Sequence, residues 1–171
     1  MKEHFDNEQY FFNKKTINRL IHFIGKTEFN NICVLCAPFL AEKLTNNQFK
    51  PSILDIDTRF SYLENFIFYD LENPSWIEED FDLIICDPPF FSYRLSILVK
   101  IINMLSHYNY KQKVLISYLE RREKRFLNAF ENYQLKPTSF FPKYHSVKDI
   151  SKNKIQFYSN LEAKTINKLQ V

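Results

Sequence analysis

The fold of this chain is decided by the stretch Phe81-Asp82-Leu83-Ile84-Ile85-Cys86-Asp87-Pro88-Pro89-Phe90-Phe91. An apolar run this short and this sharply bounded is typical of a buried strand in a parallel sheet. Prolines lack the N–H group that a ladder needs, so the chain must leave the sheet at Asp87. Because open α/β sheets bind ligands at the carboxyl ends of their strands, Asp87 is expected at the rim of a site.

Apolar runs of strand length alternate with helical patterns along the rest of the chain. Strands are predicted at 32–36, 52–56, 66–69, 83–86 and 113–118, then at 134–141 and 154–160. Helices are predicted at about 13–25, 38–45, 92–108 and 120–130, with Asn13 or Thr16 as the first cap and a short turn or helix at 73–79.

This order of elements predicts an α/β fold with a doubly wound, Rossmann-like sheet of seven strands. The sheet should be mostly parallel and end in an antiparallel hairpin. We expect one domain over residues 1–161, followed by a frayed C-terminal tail at 162–171.

Composition excludes several classes of protein. No window approaches 18 apolar residues and no signal peptide is evident, so we expect no membrane span and an intracellular, cytoplasmic chain. Residues 1–87 carry 8 Lys and Arg against 15 Asp and Glu, whereas residues 88–171 carry 15 against 5. The basic second half could face a polyanion or an acidic protein surface, or simply solvate its helices.

The tetrapeptide Asp87-Pro88-Pro89-Phe90 resembles the fourth motif of amino-group methyltransferases that use S-adenosylmethionine. A carboxylate and a backbone carbonyl can each accept one N–H of an amine, and an aromatic ring can pack beside it. The proline pair stiffens the loop, so the acceptors are already in place. The alternative is a plain turn at the end of a strand, since Asp-Pro often opens turns.

Carboxylates end three successive predicted strands, at Asp57, Asp70 and Asp87. In a parallel sheet all three lie at one rim. Aspartates that merely occur in turns would not be expected to end three successive strands. Asp57 is expected to accept both ribose hydroxyls of the cofactor, with Asp55 as second candidate. Asp70 could accept from the adenine amino group or open an Asx-turn.

Cysteine spacing gives the weakest functional signal. Cys33-Val34-Leu35-Cys36 has the two-residue spacing of metal or redox cysteines, but side chains within a strand point to opposite faces. No second pair exists and the four histidines are scattered, so we expect buried cysteines and no metal. No nucleophile elbow is present, which excludes the usual hydrolases.

Motifs over about residues 8–160 together resemble the small lysine methyltransferases of elongation factor 1-alpha, first catalogued as probable N6-adenine methyltransferases. The resemblance rests on motifs whose order and spacing match that family. They are Gln9-Tyr10-Phe11-Phe12, Cys36-Ala37-Pro38, Asp57-Thr58-Arg59-Phe60, Phe66-Ile67-Phe68-Tyr69-Asp70 with Asn73-Pro74, Asp87-Pro88-Pro89-Phe90, Phe140-Phe141-Pro142-Lys143-Tyr144-His145 and Phe157-Tyr158. Family members also lack a glycine-rich loop after the first strand.

The resemblance implies a site for S-adenosylmethionine and an amine. Catalysis is expected from Asp87, Pro88, Pro89 and Phe90; cofactor binding from Gln9, Phe11, Ala37, Pro38, Asp57, Asp70 and Asp87; and substrate binding from Phe90, Phe91, Lys143 and His145. Elongation factor 1-alpha is the favoured partner. RNA or DNA is the alternative substrate, because Leu54 to Arg59 also resembles a ribosomal-RNA adenine methyltransferase. A non-catalytic scaffold of the same fold is the third hypothesis.

Overall fold

The computed structural model describes residues 2–4, 8–148 and 150–170. Their strands are β1 (Ile32–Leu35), β2 (Ser52–Asp55), β3 (Phe66–Phe68), β4 (Leu83–Cys86), β5 (Val114–Leu119), β6 (Lys136–Pro137) and β7 (Ile155–Ser159). Their α-helices are α1 (Lys14–Gly25), α2 (Pro38–Asn46), α3 (Leu95–Leu105), α4 (Glu123–Ala129) and α5 (Ala163–Gln170).

The strands form a single sheet in the order β3-β2-β1-β4-β5-β7-β6. The first five strands of this order pair in parallel, and β7 pairs antiparallel with both β5 and β6. The predicted seven-stranded sheet with an antiparallel end is therefore confirmed.

Helices cover both faces of the sheet, which explains why β1, β4 and β5 are buried along their whole length. On one face, Leu20 of α1 and Leu44 of α2 pack into a core that also includes Leu169 of α5. On the other face, Ile101 of α3 and Phe126 of α4 form a second core. None of the described helices is long and apolar enough to cross a membrane.

Local capping follows the sequence closely at the start of α1. The side chain of Asn13 accepts a hydrogen bond from the Thr16 N–H at 2.9 Å, so Asn13 is the cap of the two candidates. The Thr16 hydroxyl instead donates to the carbonyl oxygen of Lys143 at 3.1 Å. Pro38 occupies the first turn of α2 as predicted.

The prediction of a frayed tail after Leu161 is wrong. Helix α5 packs against α1, and Leu169 is completely buried. Arg19 of α1 donates to the carbonyl oxygen of Gln170 at 2.8 Å, which ties the two helices together. Tertiary packing thus stabilises a short polar helix that propensity alone would not form.

Two other boundaries differ from the prediction. In the predicted strand 134–141, only Lys136–Pro137 forms regular strand. Ser139, with a positive φ of 58°, interrupts the pairing, although the Thr138 N–H still donates to the carbonyl oxygen of Phe157, and the Phe157 N–H to that of Phe140, both at 3.0 Å. Residues 73–79 form a bend at Asn73 followed by irregular chain rather than a short helix. His107 holds this segment by a 2.7 Å contact with the carbonyl oxygen of Ile77.

Candidate active site

A cavity of about 250 Å³ opens at the carboxyl ends of the central strands. The strand order reverses between β1 and β4, which is the point where open α/β sheets bind ligands. A segment from the N-terminal part of the chain closes the opposite side. The lining residues are Glu8, Gln9, Tyr10, Cys36, Asp55, Ile56, Tyr69, Leu71, Glu72, Asp87, Pro88, Pro89, Phe90, Ser92, Tyr93 and Tyr144.

Asp87 stands in the wall of this cavity, at the end of β4. Its Oδ1 atom accepts a hydrogen bond from the Tyr144 hydroxyl at 2.7 Å and a second one from the Ser117 hydroxyl. Among the described residues, no hydrogen-bond donor is found for Oδ2. Two donors on one oxygen fix the orientation of the carboxyl group and leave the other oxygen available to a ligand.

Enclosure of the Asp87 carboxyl group raises its pKa to about 7, because burial disfavours the charged form. The hydrogen bonds from Ser117 and Tyr144 act in the opposite direction and limit the rise. The pKa of Tyr144 itself is raised well above its usual value by burial and by the neighbouring carboxyl. Asp87 is therefore poised to change its charge near neutral pH, as a proton acceptor in an active site must.

Tyr144 reaches Asp87 because its segment pairs with the N-terminal segment. The His145 N–H donates to the carbonyl oxygen of Phe11 at 2.9 Å, and the Asn13 N–H donates to that of Lys143 at 2.8 Å. Phe12 and Tyr144 form the antiparallel bridge between these two bonds. Their ring centroids lie 5.0 Å apart.

Ser117 and Tyr144 were not among the site residues predicted from sequence. Ser117 carried a usable signal, since it is a polar residue inside the apolar strand β5 and is completely buried. Such a hydroxyl needs a partner, and Asp87 on the neighbouring strand provides it. Tyr144 lies between two residues predicted to bind substrate, and the sequence did not show which of the three faces the site.

The two aspartates at the end of β2, Asp55 within it and Asp57 just beyond it, have different environments. Asp55 is 5% exposed, lines the cavity, and has its pKa raised to about 7 by burial. Asp57 does not line the cavity, and its Oδ2 atom pairs with the Arg59 Nη2 atom at 2.7 Å. Although burial opposes the shift, this guanidinium lowers the pKa of Asp57. Asp55, the second of the two candidates predicted from sequence, is therefore the carboxyl that lines the cavity.

The segment that covers the cavity is anchored at several points. Gln9 lines the cavity, and its Oε1 atom accepts from the Arg59 Nη2 atom at 2.9 Å. Glu8 accepts from the Phe91 N–H at 2.9 Å and from the Ser92 hydroxyl at 2.7 Å. The N-terminal segment is therefore bonded both to the loop after β2 and to the loop after the two prolines.

Other residues predicted for the site do not line the cavity. Phe11 is buried and stacks on Phe39 with ring centroids 4.6 Å apart, and Asp70 accepts from the Glu72 N–H at 2.9 Å in a turn. Ala37 and Pro38 begin α2, and Cys36 before them lines the cavity. Cys36 has a φ of 58°, so this glycine-free loop still makes the left-handed turn that glycine favours.

The predicted substrate residues divide into two groups. Phe90 lines the cavity, and Phe91 lies beside it with 58% of its surface exposed. Lys143 and His145 are exposed and flank Tyr144 without lining the cavity. The three cysteines are free, and the described ranges contain no group of His, Cys, Asp or Glu that could hold a metal ion.

The charge of the cavity is one-sided. Its lining includes four carboxyl groups and, over the residues described, neither Lys nor Arg. The carboxyl groups belong to Glu8, Asp55, Glu72 and Asp87. Such a lining suits a ligand that carries positive charge, and a carboxyl pair such as Asp55 and Asp87 can also accept from hydroxyl or amino groups. A sulfonium cofactor with a ribose diol and an amino group fits this donor and acceptor set.

Two solved structures share this architecture. A candidate RNA methyltransferase from Pyrococcus horikoshii superposes with a TM-score of 0.63 at 16% identity, over 92% of this chain and 88% of that one. Magnesium protoporphyrin IX methyltransferase from Synechocystis PCC 6803, solved with S-adenosylmethionine bound, superposes with a TM-score of 0.57 at 11% identity, over 85% and 78%. At these identities the likeness establishes the shared fold.

The fold, the strand order and the site define a class I methyltransferase that depends on S-adenosylmethionine. The sequence profile of a family described as "Probable N6-adenine methyltransferase" matches residues 3–163. The chain belongs to this family.

Curated relatives carry a different description from that of the family. A Danio rerio protein named "EEF1A lysine methyltransferase 1" is 28% identical over 177 residues, which cover 93% of this chain and 99% of the relative. The Homo sapiens protein of the same name is 32% identical over 105 residues, covering 54% of this chain and 48% of the relative. The match thus spans about half the length of the human protein.

Proposed function

We propose that this protein methylates the side-chain amine of a lysine in a partner protein, with elongation factor 1-alpha as the substrate. The observation that carries the proposal is the Asp87 carboxyl, which lines a cavity rich in acidic groups and whose Oδ2 atom has no donor among the described residues. A lysine side chain brings a positive charge, which complements these acidic groups, and N–H donors for their oxygens.

We infer that Asp55 accepts the ribose hydroxyls of S-adenosylmethionine, and that Gln9 and Asp87 lie against its amino-acid portion. When bound, this cofactor supplies a methyl group on a positively charged sulfur, which keeps the electrons of the broken bond and leaves as a neutral thioether. Five further residues support the cavity from behind its lining in this proposal. They are Phe11, Ala37, Pro38, Asp57 and Asp70.

The chain's own chemistry is then to prepare the amine. A lysine ammonium has no lone pair, so one proton must leave before the nitrogen can attack. In the proposal, ionised Asp87 takes that proton on Oδ2, while the Pro88 carbonyl oxygen accepts a remaining N–H and Phe90 packs beside the nitrogen. The Asp87 pKa of about 7 suits this transfer near neutral pH.

Two observations support lysine as the acceptor. The relative that spans nearly the whole chain is named for a lysine substrate in a protein. Within the described part of the chain, the cavity lining has four carboxyl groups and neither Lys nor Arg, which favours a cationic amine over a neutral adenine. If elongation factor 1-alpha is the substrate, a cytoplasmic location follows from the place where translation occurs.

The second candidate is N6-methylation of adenine in RNA or DNA. The description of the family favours it, as does the excess of 15 Lys and Arg over 5 Asp and Glu in residues 88–171. On a duplex, such an enzyme would have to extrude the target base into the cavity.

One assay separates the two candidates. A lysate of cells that lack this protein receives purified protein and radiolabelled methyl donor, and aliquots are then treated with nuclease or with protease. The proposal predicts that the label survives nuclease, disappears with protease, and maps to lysine by mass spectrometry. The Asp87→Ala variant serves as the background. Label that is removed by nuclease and resists protease would assign the adenine activity instead.

A further inference from the structure

A second groove lies directly beside the cavity and is separated from it by three aromatic side chains. Tyr10, Phe90 and Tyr144 line both the cavity and this groove, whose volume is about 240 Å³. The floor is formed by Leu119 and Ile155, which are 1% and 6% exposed. We call this depression the side groove.

The rest of the lining combines apolar and polar residues. Val147 and Phe91 are its apolar members, and Val147 packs partly buried against the core, while Ser146, Lys148 and Asn153 are polar. Leu119 and Ile155 place no polar side-chain atom at the floor, so a polar group buried there would lose its hydrogen bonds to water. An aliphatic or aromatic amino-acid side chain matches such a floor without that cost.

The rim nearest the active site carries positive charge. The guanidinium carbons of Arg121 and Arg122 lie 5.9 and 5.4 Å from the centroid of the Phe91 ring. Arg122 also donates to the carbonyl oxygen of Phe90 at 3.0 Å, which fixes it over the loop. The nearby carboxyl of Glu8 is already occupied by the Phe91 N–H and the Ser92 hydroxyl. An acidic residue of a partner would therefore find available cations here.

The geometry points to a subsite for the substrate protein. We propose that the side groove binds an apolar side chain located within two residues of the target lysine, in a segment that also presents acidic residues to Arg121 and Arg122. The inference rests on the proposed lysine activity. The side groove adjoins the cavity, and Phe90 and Tyr144 line both. A lysine that reaches Asp87 past these two rings therefore brings its sequence neighbours, whose Cα atoms are about 3.8 Å apart, over the side groove.

The test is a double-mutant cycle between the groove and the substrate. Wild-type protein first methylates purified elongation factor 1-alpha, and mass spectrometry locates the lysine. Each of the two residues on either side of it is then replaced by serine. The enzyme variant is Val147→Asp, which places a charge in the groove away from Asp87. The matched control is Val99→Asp, at a partly buried valine of α3 on the other side of the sheet.

We expect Val147→Asp, and one of the four serine substitutions, each to lower kcat/KM by about 10- to 100-fold, as loss of a matched apolar contact does. Combined, the two changes should cost little more than either alone. Val99→Asp should lack this coupling, and cofactor binding should be unchanged in Val147→Asp. Full additivity, or an unchanged rate with Val147→Asp, would overturn the inference while the lysine activity stands. If wild-type protein labels no lysine, the proposed function fails first and the subsite fails with it.

Discussion

The hydroxyl of Tyr144 donates to Oδ1 of Asp87 at 2.7 Å, across 57 residues of sequence. Because Ser117 donates to the same oxygen, the carboxyl has a fixed orientation before any ligand arrives. Preorganisation of this kind lowers the cost of reaching the reactive geometry. Tyr144 is therefore a positioning residue, acting on the substrate through Asp87.

Tyr144→Phe removes the hydroxyl and keeps the ring. A hydrogen bond to a charged group contributes about 1.5–3 kcal/mol, so kcat/KM should decrease by roughly 10- to 100-fold. The pKa of Asp87 should also rise, since a bond that favours its charged form is lost, and the pH–rate profile should shift to higher pH. The control is Tyr158→Phe, whose buried hydroxyl bonds to Glu123 at 3.0 Å. A Tyr144→Phe profile identical to wild type would contradict the positioning role.

The pH dependence of methylation should reflect Asp87. Only the ionised carboxyl can take a proton from lysine, so kcat/KM should rise with pH through an apparent pKa near 7. In Asp87→Asn the rate should be at least 100-fold lower, and this limb should be absent. Initial rates measured from pH 5.5 to 9 on one substrate check both expectations. A limb near pH 7 that persists in Asp87→Asn would assign it to another group.

Cofactor affinity should depend on Asp55 more than on Asp57. Asp55→Asn removes a charged acceptor from the cavity, and calorimetry should show S-adenosylmethionine binding about 10- to 100-fold weaker. Asp57→Asn should lower the thermal stability through the lost Arg59 pair and change affinity much less. Equal losses of affinity in the two variants would show that the Arg59 network also shapes the cofactor site.

The stability of the ligand-free protein should decrease as pH rises from about 4 to about 7. Unfolded aspartates ionise near pH 4, whereas Asp55 and Asp87 ionise near 7 in the fold. The folded state thus binds more protons within this window, and its advantage is lost as these carboxyls ionise. Asp57, with a lowered pKa, acts oppositely and only at lower pH. Thermal unfolding at pH 5 and pH 7.5 measures the difference, which Asp55→Asn/Asp87→Asn should reduce.

Helix α5 should contribute to global stability. Leu169→Ala opens a cavity in the core and should lower the free energy of unfolding by about 2–5 kcal/mol. The exposed Asn167→Ala on the same helix should change it by less than about 0.5 kcal/mol. Urea denaturation gives both values. A negligible effect of Leu169→Ala would show that the C-terminal segment is frayed, as the sequence indicates.

Sequence patterns predicted the sheet because β1 and β4 are continuous apolar runs of strand length and β5 is interrupted only by Ser117. The position of Asp87 was equally predictable, since two prolines force the chain out of the ladder there. Helix α5 was not, because its stability depends on contacts between Leu169 and a core whose shape no local pattern reveals.

The choice between Asp55 and Asp57 shows a different limit. The two residues lie two positions apart at the end of one strand, so alternation does not distinguish them, and either was compatible with a ligand-binding carboxylate. Arg59 decides the outcome by binding Asp57 bidentately, with Nε at 2.8 Å from Oδ1 and Nη2 at 2.7 Å from Oδ2. A tertiary contact also decides the position of Tyr144, because its segment pairs with the N-terminal segment, which is far away in sequence.

The bonds that join Phe11–Asn13 to Lys143–His145 can form only late in synthesis, because residues 143–145 are near the end of the chain. The cofactor wall and the loop with Asp87 leave the ribosome long before Tyr144 does. Until then Asp87 lacks one of its two donors, and the N-terminal segment has no partner strand to hold it over the cavity. A nascent chain that stops before residue 143 should therefore carry all the quoted motifs up to Phe90 and still transfer no methyl group.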